Sequence, residues 1–354
     1  MSDYAHRRTD AEIRAIEKRL RKEYRKARDE VQEKIDDYFR RFQLKDAKWR
    51  EWVDTGYKTP EEYLKWREGQ IIVGDRWKSL RDSIAKDYAN ANKLARRIVR
   101  EKSLDIYADT HNWSTYDIEK QLLIDTGYTL FNRDAIAFLL KNNPQLLPDP
   151  GADLTKDILN ALEVRYNRQQ LQSIMMQCLL QGMGLPEMSR RLATELGEKN
   201  YKAAIRNART MMTYAENAGR LRSYERAENM GVNIKKTWVA TLDGRTRHEH
   251  RLLDGQTVPV DKPFTVEGHE IMCPGDPTAR PELVYNCRCT MISQLKVYEI
   301  DSKDLRPNDD IEGMTYDEWK KSHEERSNPL DLPERKQEAA RMEYIREYRH
   351  GGRK

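Results

Sequence analysis

Two stretches decide the fold of this chain: residues 235–255 read KKTWVATLDGRTRHEHRLLDG, and residues 281–292 read PELVYNCRCTMI. Together with the loop between them they contain three of the four cysteines and three of the seven histidines. Alternating apolar residues around Trp238 indicate a strand, and the Asp-Gly pairs at 243–244 and 254–255 indicate turns. The segment is therefore predicted to form a small sheet with a hairpin, packed on the helices that precede it.

Long helices are predicted for much of the remaining chain. Apolar residues over 11–45 recur at steps of three and four, with a mean of about 3.6, which indicates one amphipathic helix. A second stripe over 77–108 indicates another, and between them Thr59-Pro60-Glu-Glu62 fits the start of a short capped helix. The two long helices are expected to form an antiparallel hairpin. The first stripe consists of Ile13, Ile16, Leu20, Tyr24, Ala27, Val31, Ile35, Tyr38 and Phe42.

The chain is predicted to divide into three regions. Residues 1–150 form an elongated helical region, residues 151–300 a module of helices and a small sheet, and residues 301–354 a charged, partly helical tail. The first boundary is placed in the stretch from Pro144 to Gly151, which is rich in proline. The predicted fold class is thus mainly α, with a small α+β module after a long helical hairpin.

The tail is predicted to contain one capped helix. It starts at Thr315, and Glu318 can close a capping box just before Trp319. The last stretch, residues 335–348, favours helix but is weakly apolar, so it is expected to be stable only when docked.

The composition favours long, solvated helices over one thick globular core. Charged residues make up 35% of the chain, and the mean hydropathy is −0.94. Disordered chains contain few aromatic residues, so the seven Trp and eighteen Tyr argue against disorder. The 64 basic and 59 acidic residues nearly cancel, to a net charge of +5, and most are predicted to line solvated helix faces. Residues 11–50 hold 14 basic and 9 acidic residues, so this helix is locally positive.

Two features of the sequence indicate where the protein works. No apolar run reaches the roughly 18–20 residues that span a bilayer, and the N-terminus lacks the apolar core of a signal peptide. The protein is therefore expected to be made in a cytoplasm, where thiols stay reduced. No contact with a membrane is expected.

The two stretches together resemble the head-morphogenesis domain of the phage Mu F protein family, the minor capsid proteins of tailed bacteriophages. The resemblance depends on Asp-x-Arg-Thr-Arg-x-x-His, a Leu-Asp-Gly turn and Asn-Cys-Arg-Cys in that order, and it covers roughly residues 155–300. Many relatives carry Cys-x-x-Cys where this chain has Arg247-His-Glu-His250. The residues concerned are Trp238, Asp243, Arg245, Thr246, Arg247, His250, Asp254, Gly255, Pro274, Gly275, Asp276, Pro277, Glu282, Asn286, Cys287, Arg288 and Cys289.

The resemblance implies a structural, non-enzymatic role in the head of a tailed phage. It implies association with the portal protein and a part in procapsid assembly, DNA packaging or DNA delivery. Expected partners are the portal, the major capsid or scaffolding protein and, by non-specific phosphate contacts, packaged double-stranded DNA. The expected location is the virion interior, after assembly in the host cytoplasm. The apolar stripe of residues 11–140 is expected to dock on the portal or inner shell, because it looks longer than its own domain can cover.

A zinc site is one possible use of the cysteines and histidines. His248, His250, Cys273, Cys287 and Cys289 could supply thiolate and imidazole ligands. However, Cys-x-Cys is tighter than the usual ligand spacing and Cys273 lies in a variable loop, so a purely structural role and a disulfide both stay open. If zinc is bound, His250, Cys287 and Cys289 are its predicted core, and no other cofactor is expected. Residues 243–255 and 286–289 are expected to meet in space, with His250 near a cysteine.

The charged residues of the motif have two interpretations. Asp243, Arg245, Arg247 and Asp254 can form a structural ion-pair network that includes Arg288. Alternatively, a phage-encoded metal-dependent nuclease or other DNA-modifying enzyme could use an Asp with His248 or His250. The network is favoured, because no phosphate loop or nucleophile elbow accompanies these groups. A toxin carrier is disfavoured, because only 54 residues follow Ile300.

Overall fold

The computed structural model describes residues 3–70, 74–142, 147, 156–300 and 305–326, and it confirms a mainly α fold with a small α+β module. The helices are α1 (Tyr4–Asp54), α2 (Pro60–Glu68), α3 (Asp75–Leu122), α4 (Arg133–Asn142), α5 (Lys156–Leu180), α6 (Leu185–Asn229), α7 (His248–Leu253), α8 (Pro281–Val284) and α9 (Tyr316–Arg326). The strands are β1 (Ile124–Asp125), β2 (Val232–Val239), β3 (Thr257–Pro259), β4 (Phe264–Val266), β5 (His269–Ile271), β6 (Thr290–Ile300) and β7 (Arg306–Pro307).

Three helices of 51, 48 and 45 residues, α1, α3 and α6, pack along one another, and α5 lies against α3 and α6. Helices α1 and α3 are antiparallel, as predicted, because Tyr38 contacts Trp77 near one end and Lys102 pairs with Glu12 near the other. The same helix α1 is antiparallel to α6. One apolar core runs through all four helices.

The predicted stripe of α1 is buried against other helices of the same chain. Leu20, Val31 and Ile35 are fully covered, and of the predicted stripe only Ile13 and Tyr38 are half-buried. The expectation that this stripe exceeds its own domain and needs a partner is therefore wrong, because α3 and α6 cover it. The shared core draws residues from both sides of the predicted boundary at 150, and the prolines of that boundary lie outside the described residues.

An aromatic cluster closes the end of the long hairpin, here called the hairpin tip (residues 42–66). The capping box of Thr59 and Glu62 is present, as predicted, and starts α2. Trp66 of α2 stacks on Phe42 and on Trp49 of α1, with ring centroids 5.8 and 5.2 Å apart. The tip therefore folds as a compact aromatic unit.

Helices α3 and α6 come closest at Gly219. A Cβ added there would lie 2.6 Å from the carbonyl oxygen of Tyr107 and 3.2 Å from the amide nitrogen of His111. Both are backbone atoms of α3, so a neighbour cannot simply rotate away. Glycine at this position lets the backbones of α3 and α6 come into contact.

The small sheet has the order β3-β2-β6, with both pairs antiparallel. The strand predicted from the alternation over residues 235–242 is confirmed as β2, which begins and ends three residues earlier. Trp238 lies opposite Met291 of β6, and both side chains are fully buried with Phe264 in a second apolar core. This core also contains Tyr224 of α6, so the sheet packs on the last turns of that helix.

The described part of the tail docks on α3. Thr315 and Glu318 form the predicted capping box, with the Thr315 amide 2.8 Å from the Glu318 carboxylate. Trp319 is buried in an aromatic cluster with Tyr116 and Tyr128, and β7 pairs with β1. The predicted helix over 335–348 lies outside the described residues. Among the helices that the structure describes, none combines the length and apolarity needed to cross a membrane.

Gly219→Ala should lower the free energy of unfolding by about 1–3 kcal/mol, because the added methyl group forces apart two packed backbones. Gly69→Ala is the matched control. Gly69 has helical φ and ψ, and an added Cβ meets nothing within 4 Å, so alanine should be neutral or slightly stabilising. Urea unfolding followed by circular dichroism measures both, and equal stabilities would contradict the assigned close contact.

Candidate functional site

The two motif segments meet beside the sheet, although residues 243–255 do not form the predicted hairpin. After β2 the chain makes a turn, forms the six-residue helix α7, and then returns to pair as β3. Asp254 accepts a hydrogen bond from the Ala240 amide at 2.8 Å, which ties the end of α7 to the end of β2. Gly255 has φ of 77°, and its amide donates to the Trp238 carbonyl. A short helix therefore replaces half of the expected hairpin.

The turn before α7 is organised by Asp243. Its carboxylate accepts the Arg245 amide at 2.8 Å, as in an Asx-turn, and the Asp243 amide donates to the Thr246 hydroxyl at 2.9 Å. Thr246 donates to the carbonyl of Thr241. These bonds all join residues within five positions of one another, so the turn is held by local contacts.

Arg288 joins the second motif segment to this turn. Its guanidinium donates two hydrogen bonds to the Asp243 carboxylate, at 2.6 and 2.7 Å, in the bidentate geometry typical of strong Arg–carboxylate pairs. This pairing, with the Arg245 amide, holds the pKa of Asp243 well below its usual range. The Thr241 hydroxyl also donates to the Arg288 carbonyl at 2.6 Å.

The other arginines of the network are placed differently from the prediction. Arg245 is largely exposed and lies 3.7 Å from Asp243, so it contributes little. Arg247 donates to the backbone carbonyl of Tyr285 and pairs with no carboxylate among the described residues. The predicted pairing of Arg245 with Asp243 is therefore present but weak, and Arg288, which was expected in the same network, makes the strong pair.

His250, Cys287 and Cys289 form a buried cluster, here called the Cys-His triad. Nδ1 of His250 lies 3.3 Å from Sγ of Cys289 and 3.7 Å from Sγ of Cys287. Nε2 of His250 donates to the Leu283 carbonyl at 3.0 Å, which leaves Nδ1 with a lone pair toward the sulfurs. The predicted meeting of the two segments is confirmed, and no cysteine of the chain forms a disulfide.

The two thiols of the triad are electrostatically different. The hydrogen bond from Cys287 lowers the pKa of Cys289, although burial opposes this. The same bond and burial raise the pKa of Cys287 well above its usual value. Cys289 is thus the more acidic thiol of the pair.

The triad suits a soft divalent metal ion such as Zn²⁺. Zinc–ligand bonds of about 2.0–2.3 Å place tetrahedral ligand atoms roughly 3.5 Å apart, close to the N–S separations found here. Such an ion would fasten α7 to the Asn-Cys-Arg-Cys segment. Among the described residues no fourth His, Cys, Asp or Glu joins this group. The cluster is also satisfied without metal, through S–H and N–H hydrogen bonds.

Two candidate ligands lie elsewhere. His248 is 70% exposed on the outer face of α7, 4.0 Å from Glu267. Cys273 is buried, and burial with nearby Asp276 raises the pKa of its thiol. The structure therefore gives neither residue a place in the triad.

The remaining motif residues shape the loops around the site. Gly275 has φ of 84°, and an added Cβ would lie 2.9 Å from the backbone of Tyr214 on α6. The buried Asp276 accepts the amides of Met272 and Thr278. Asn286 adopts φ of 56°, which asparagine tolerates better than most residues. Pro274 precedes the turn at Gly275. The exposed Glu282 pairs with Arg280.

Polar residues of α6 that the motif analysis did not single out support the site from below. The Thr213 hydroxyl donates to the Cys287 carbonyl at 2.8 Å, and the Asn217 amide group donates to the Cys289 carbonyl at 3.3 Å. Glu216 accepts a hydrogen bond from Thr290 at 2.6 Å. The only sequence signal for them is their polarity at helical spacing on an otherwise apolar helix face.

Comparison with known proteins identifies relatives of this region. Residues 169–292 match the family model described as phage Mu protein F like protein. The chain is 26% identical over 253 residues to the minor head protein GP7 of Bacillus phage SPP1, covering 68% of this chain and 76% of that protein. It is also 33% identical over 211 residues to the NAD(+)--arginine ADP-ribosyltransferase EFV of Enterococcus faecalis, covering 58% of this chain but only 40% of that enzyme. No solved structure matches the chain significantly.

Asp243→Asn should lower the melting temperature at pH 7, because Arg288 then loses its carboxylate partner. The pKa of Asp243 is lowered in the folded protein, so its contribution is fully present above the unfolded value of about 3.9 and is lost as the pH falls toward the folded value. The gap to wild type should therefore narrow below about pH 4. Thermal unfolding across pH measures it, and Asp261→Asn, an exposed carboxylate beside Lys262, should open no such gap.

Co²⁺ added to the reduced protein should produce a thiolate-to-metal charge-transfer absorption, because a lone-pair nitrogen and two sulfurs converge in the triad. Cys289→Ala should abolish the band. Cys178→Ala, which removes a buried cysteine of the helical core, should retain it. A missing band, or one that survives Cys289→Ala, would leave the triad as a hydrogen-bonded cluster only.

Proposed function

The chain belongs through residues 169–292 to the phage Mu protein F like family, and on that premise we propose that it is a structural minor head protein of a tailed phage and not an enzyme. The similarity to the minor head protein carries this proposal. Its 253 aligned residues are about twice the 124 residues of the matched segment, so the similarity extends well beyond that segment. The likeness thus extends beyond the motif to the architecture around it.

The chemistry of the motif supports a structural role. Catalytic groups act on a substrate from a concave site, whereas the groups here bind one another. Asp243 is engaged by Arg288, and both ring nitrogens of His250 have partners. The triad is buried, with each side chain at most 3% exposed. His248 is exposed but has no such cluster around it, so the nuclease alternative has little support.

The enzyme relative raises ADP-ribosyl transfer to arginine as an alternative function for this chain. Its name describes an arginine ADP-ribosyltransferase, and the segment shared with this chain is 40% of its length. The larger part of that protein lies outside the shared segment. We therefore assign the shared segment to the head-protein architecture and the transferase activity to the rest of that relative.

We propose the hairpin tip as the surface that contacts the portal. Leu44 and Tyr57 are each 71% exposed, and Leu64 is 53% exposed, on the same tip that contains the half-buried Trp49 and Trp52. Exposed apolar groups around tryptophan and tyrosine are typical of the energetically important parts of protein interfaces. This surface replaces the covered stripe of α1 as the reason for docking.

The same proposal places the protein inside the virion and gives it a part in procapsid assembly, DNA packaging or delivery. Contact with packaged DNA would be non-specific and would use the basic side chains of α1. Several of these are paired with carboxylates, such as Lys34 with Asp87 and Arg41 with Asp37. The protein contact is therefore better supported than the DNA contact.

Replacing Leu44, Tyr57 and Leu64 together by Ser should leave folding intact and reduce the protein in purified phage heads at least about tenfold, the loss expected for about 1.4 kcal/mol of interface energy. The matched control replaces three leucines of similar exposure, Leu180, Leu242 and Leu252, by Ser. Complementation of a phage lacking the protein, followed by quantitative immunoblotting of heads, measures both variants. Capture by immobilised portal protein gives the direct binding readout.

Equal incorporation of both variants would reject the tip as the contact surface but leave the structural role standing. Two results would overturn the role itself. One is transfer of ADP-ribose from NAD⁺ to arginine by the purified protein. The other is cleavage of DNA with Mg²⁺, Mn²⁺ or Zn²⁺ that His250→Ala or His248→Ala abolishes in a folded protein.

A further inference from the structure

A second cluster of ligand-type side chains lies where the tail docks on the helical bundle. Glu119 is in the last turn of α3, Asp125 is in β1, and His323 is in α9. One ligand atom from each lies within 4.8 Å of the others. The cluster is separate from the Cys-His triad and shares no residue with the family motif. It joins residues that are about 200 positions apart in the chain.

One ring nitrogen of His323 belongs to this cluster, and Nε2 is the ring nitrogen that no described residue binds. The side chain is 3% exposed, and its ring lies 4.1 Å from the Trp319 ring, which fixes its orientation. Nδ1 lies 2.9 Å from the Trp319 carbonyl, to which it donates, so Nε2 carries the lone pair. Nε2 is buried without a hydrogen-bond partner. Buried polar atoms without partners are rare in folded proteins, and a bound ion is one of the explanations for such an atom.

The two carboxylates are held in place by their own partners. Glu119 is 1% exposed, and its oxygens accept hydrogen bonds from the Thr126 amide at 3.0 Å and the Trp319 indole at 2.7 Å. Asp125 accepts the Gly127 amide at 2.8 Å. Donors of this kind orient the carboxylates as outer-sphere groups orient metal ligands. Oε1 of Glu119 also accepts the Thr126 hydroxyl at 2.5 Å, so the lone pair that Glu119 can offer an ion is on Oε2.

We propose that Glu119, Asp125 and His323 bind a divalent first-row transition metal ion, Mn²⁺ or Zn²⁺. Two carboxylates supply two negative charges, and the imidazole selects against Mg²⁺ and Ca²⁺, which take oxygen ligands. Metal–ligand bonds of about 2.0–2.2 Å place three ligand atoms roughly 3–4 Å from one another, so the three side chains must close inward from separations of up to 4.8 Å when the ion binds.

Two arginines lie near the cluster. Arg226 donates to the Thr126 hydroxyl at 3.1 Å and to its carbonyl at 3.3 Å. Arg306 of β7 is the cross-strand partner of Asp125. Both positive charges lower the affinity for a cation, but Arg306 is exposed, so solvent and salt screen its charge.

The ion would fasten the described part of the tail to the bundle. Helix α9 contacts α3 through the aromatic cluster around Trp319, and both the metal ligand His323 and the hydrogen bond to Glu119 come from α9. Binding would therefore stabilise the docked state of α9 over its released state. This inference does not depend on the proposed role in the phage head.

The test uses the full chain, reduced and freed of metal with a chelator. Titration with Mn²⁺, followed by electron paramagnetic resonance, should show one bound ion, since Mn²⁺ prefers oxygen ligands over the thiolates of the triad. His323→Gln and Asp125→Asn should each lower the affinity at least tenfold. The Asn side chain keeps the oxygen that accepts the Gly127 amide, so Asp125→Asn guards against a folding artefact. His248→Gln, an exposed histidine outside both clusters, is the matched control and should bind as wild type does.

Hydrogen exchange gives a second readout, because saturating Mn²⁺ should slow exchange of the α9 amides in the wild type and not in His323→Gln. Absence of a stoichiometric Mn²⁺ or Zn²⁺ site in the wild type would overturn the proposal. So would an affinity unchanged in both His323→Gln and Asp125→Asn, or lowered equally in His248→Gln. For Zn²⁺ the titration is repeated in Cys289→Ala, which removes the competing triad.

Discussion

The buried carboxylate of Glu216 joins three parts of the chain that are distant in sequence. It accepts hydrogen bonds from His6 at 3.0 Å and from Thr290 at 2.6 Å, and it lies 3.3 Å from Arg220, which also pairs with Asp3 at 2.7 Å. Burial alone would raise the pKa of Glu216, but His6 and Arg220 lower it overall. A charge this deeply buried is costly without partners. The start of α1, the middle of α6 and the start of β6 must therefore assemble together.

Helix α6 consequently packs both in the helical bundle and against the segment that contains the small sheet and the motif. One part of it packs in the core with α1 and α3, while Thr213 and Asn217 hold the backbone of Cys287 and Cys289. The ion pair of Asp243 with Arg288 then joins the opposite side of that segment to the turn before α7. The motif thus packs directly on α6, and it depends on contacts with that helix for its structure.

Sequence analysis succeeded where the determinants are local and repeated. The stripe of α1 and the capping boxes at Thr59 and Thr315 follow from neighbours three or four positions apart, and the strand at Trp238 from simple alternation. It failed for α7, because six residues are too few to display a helical period. It also missed the partner of Glu216, since His6 is 210 positions away and no local pattern links the two. The role of Arg288 was foreseen in outline, and only the fold could place it opposite Asp243.

The contacts of the chain fix the direction in which the long hairpin extends. Near the start of α1, the Tyr4 ring packs at a tilt against Trp113 and Tyr316, with centroids about 5 Å apart, so α1, the end of α3 and α9 meet at this end of the bundle. At the other end of the same helix pair, Tyr38 contacts Trp77, and the hairpin tip follows. A helix rises 1.5 Å per residue, so the 51 residues of α1 span about 75 Å. The hairpin tip and the two ligand clusters therefore lie at opposite ends of the bundle.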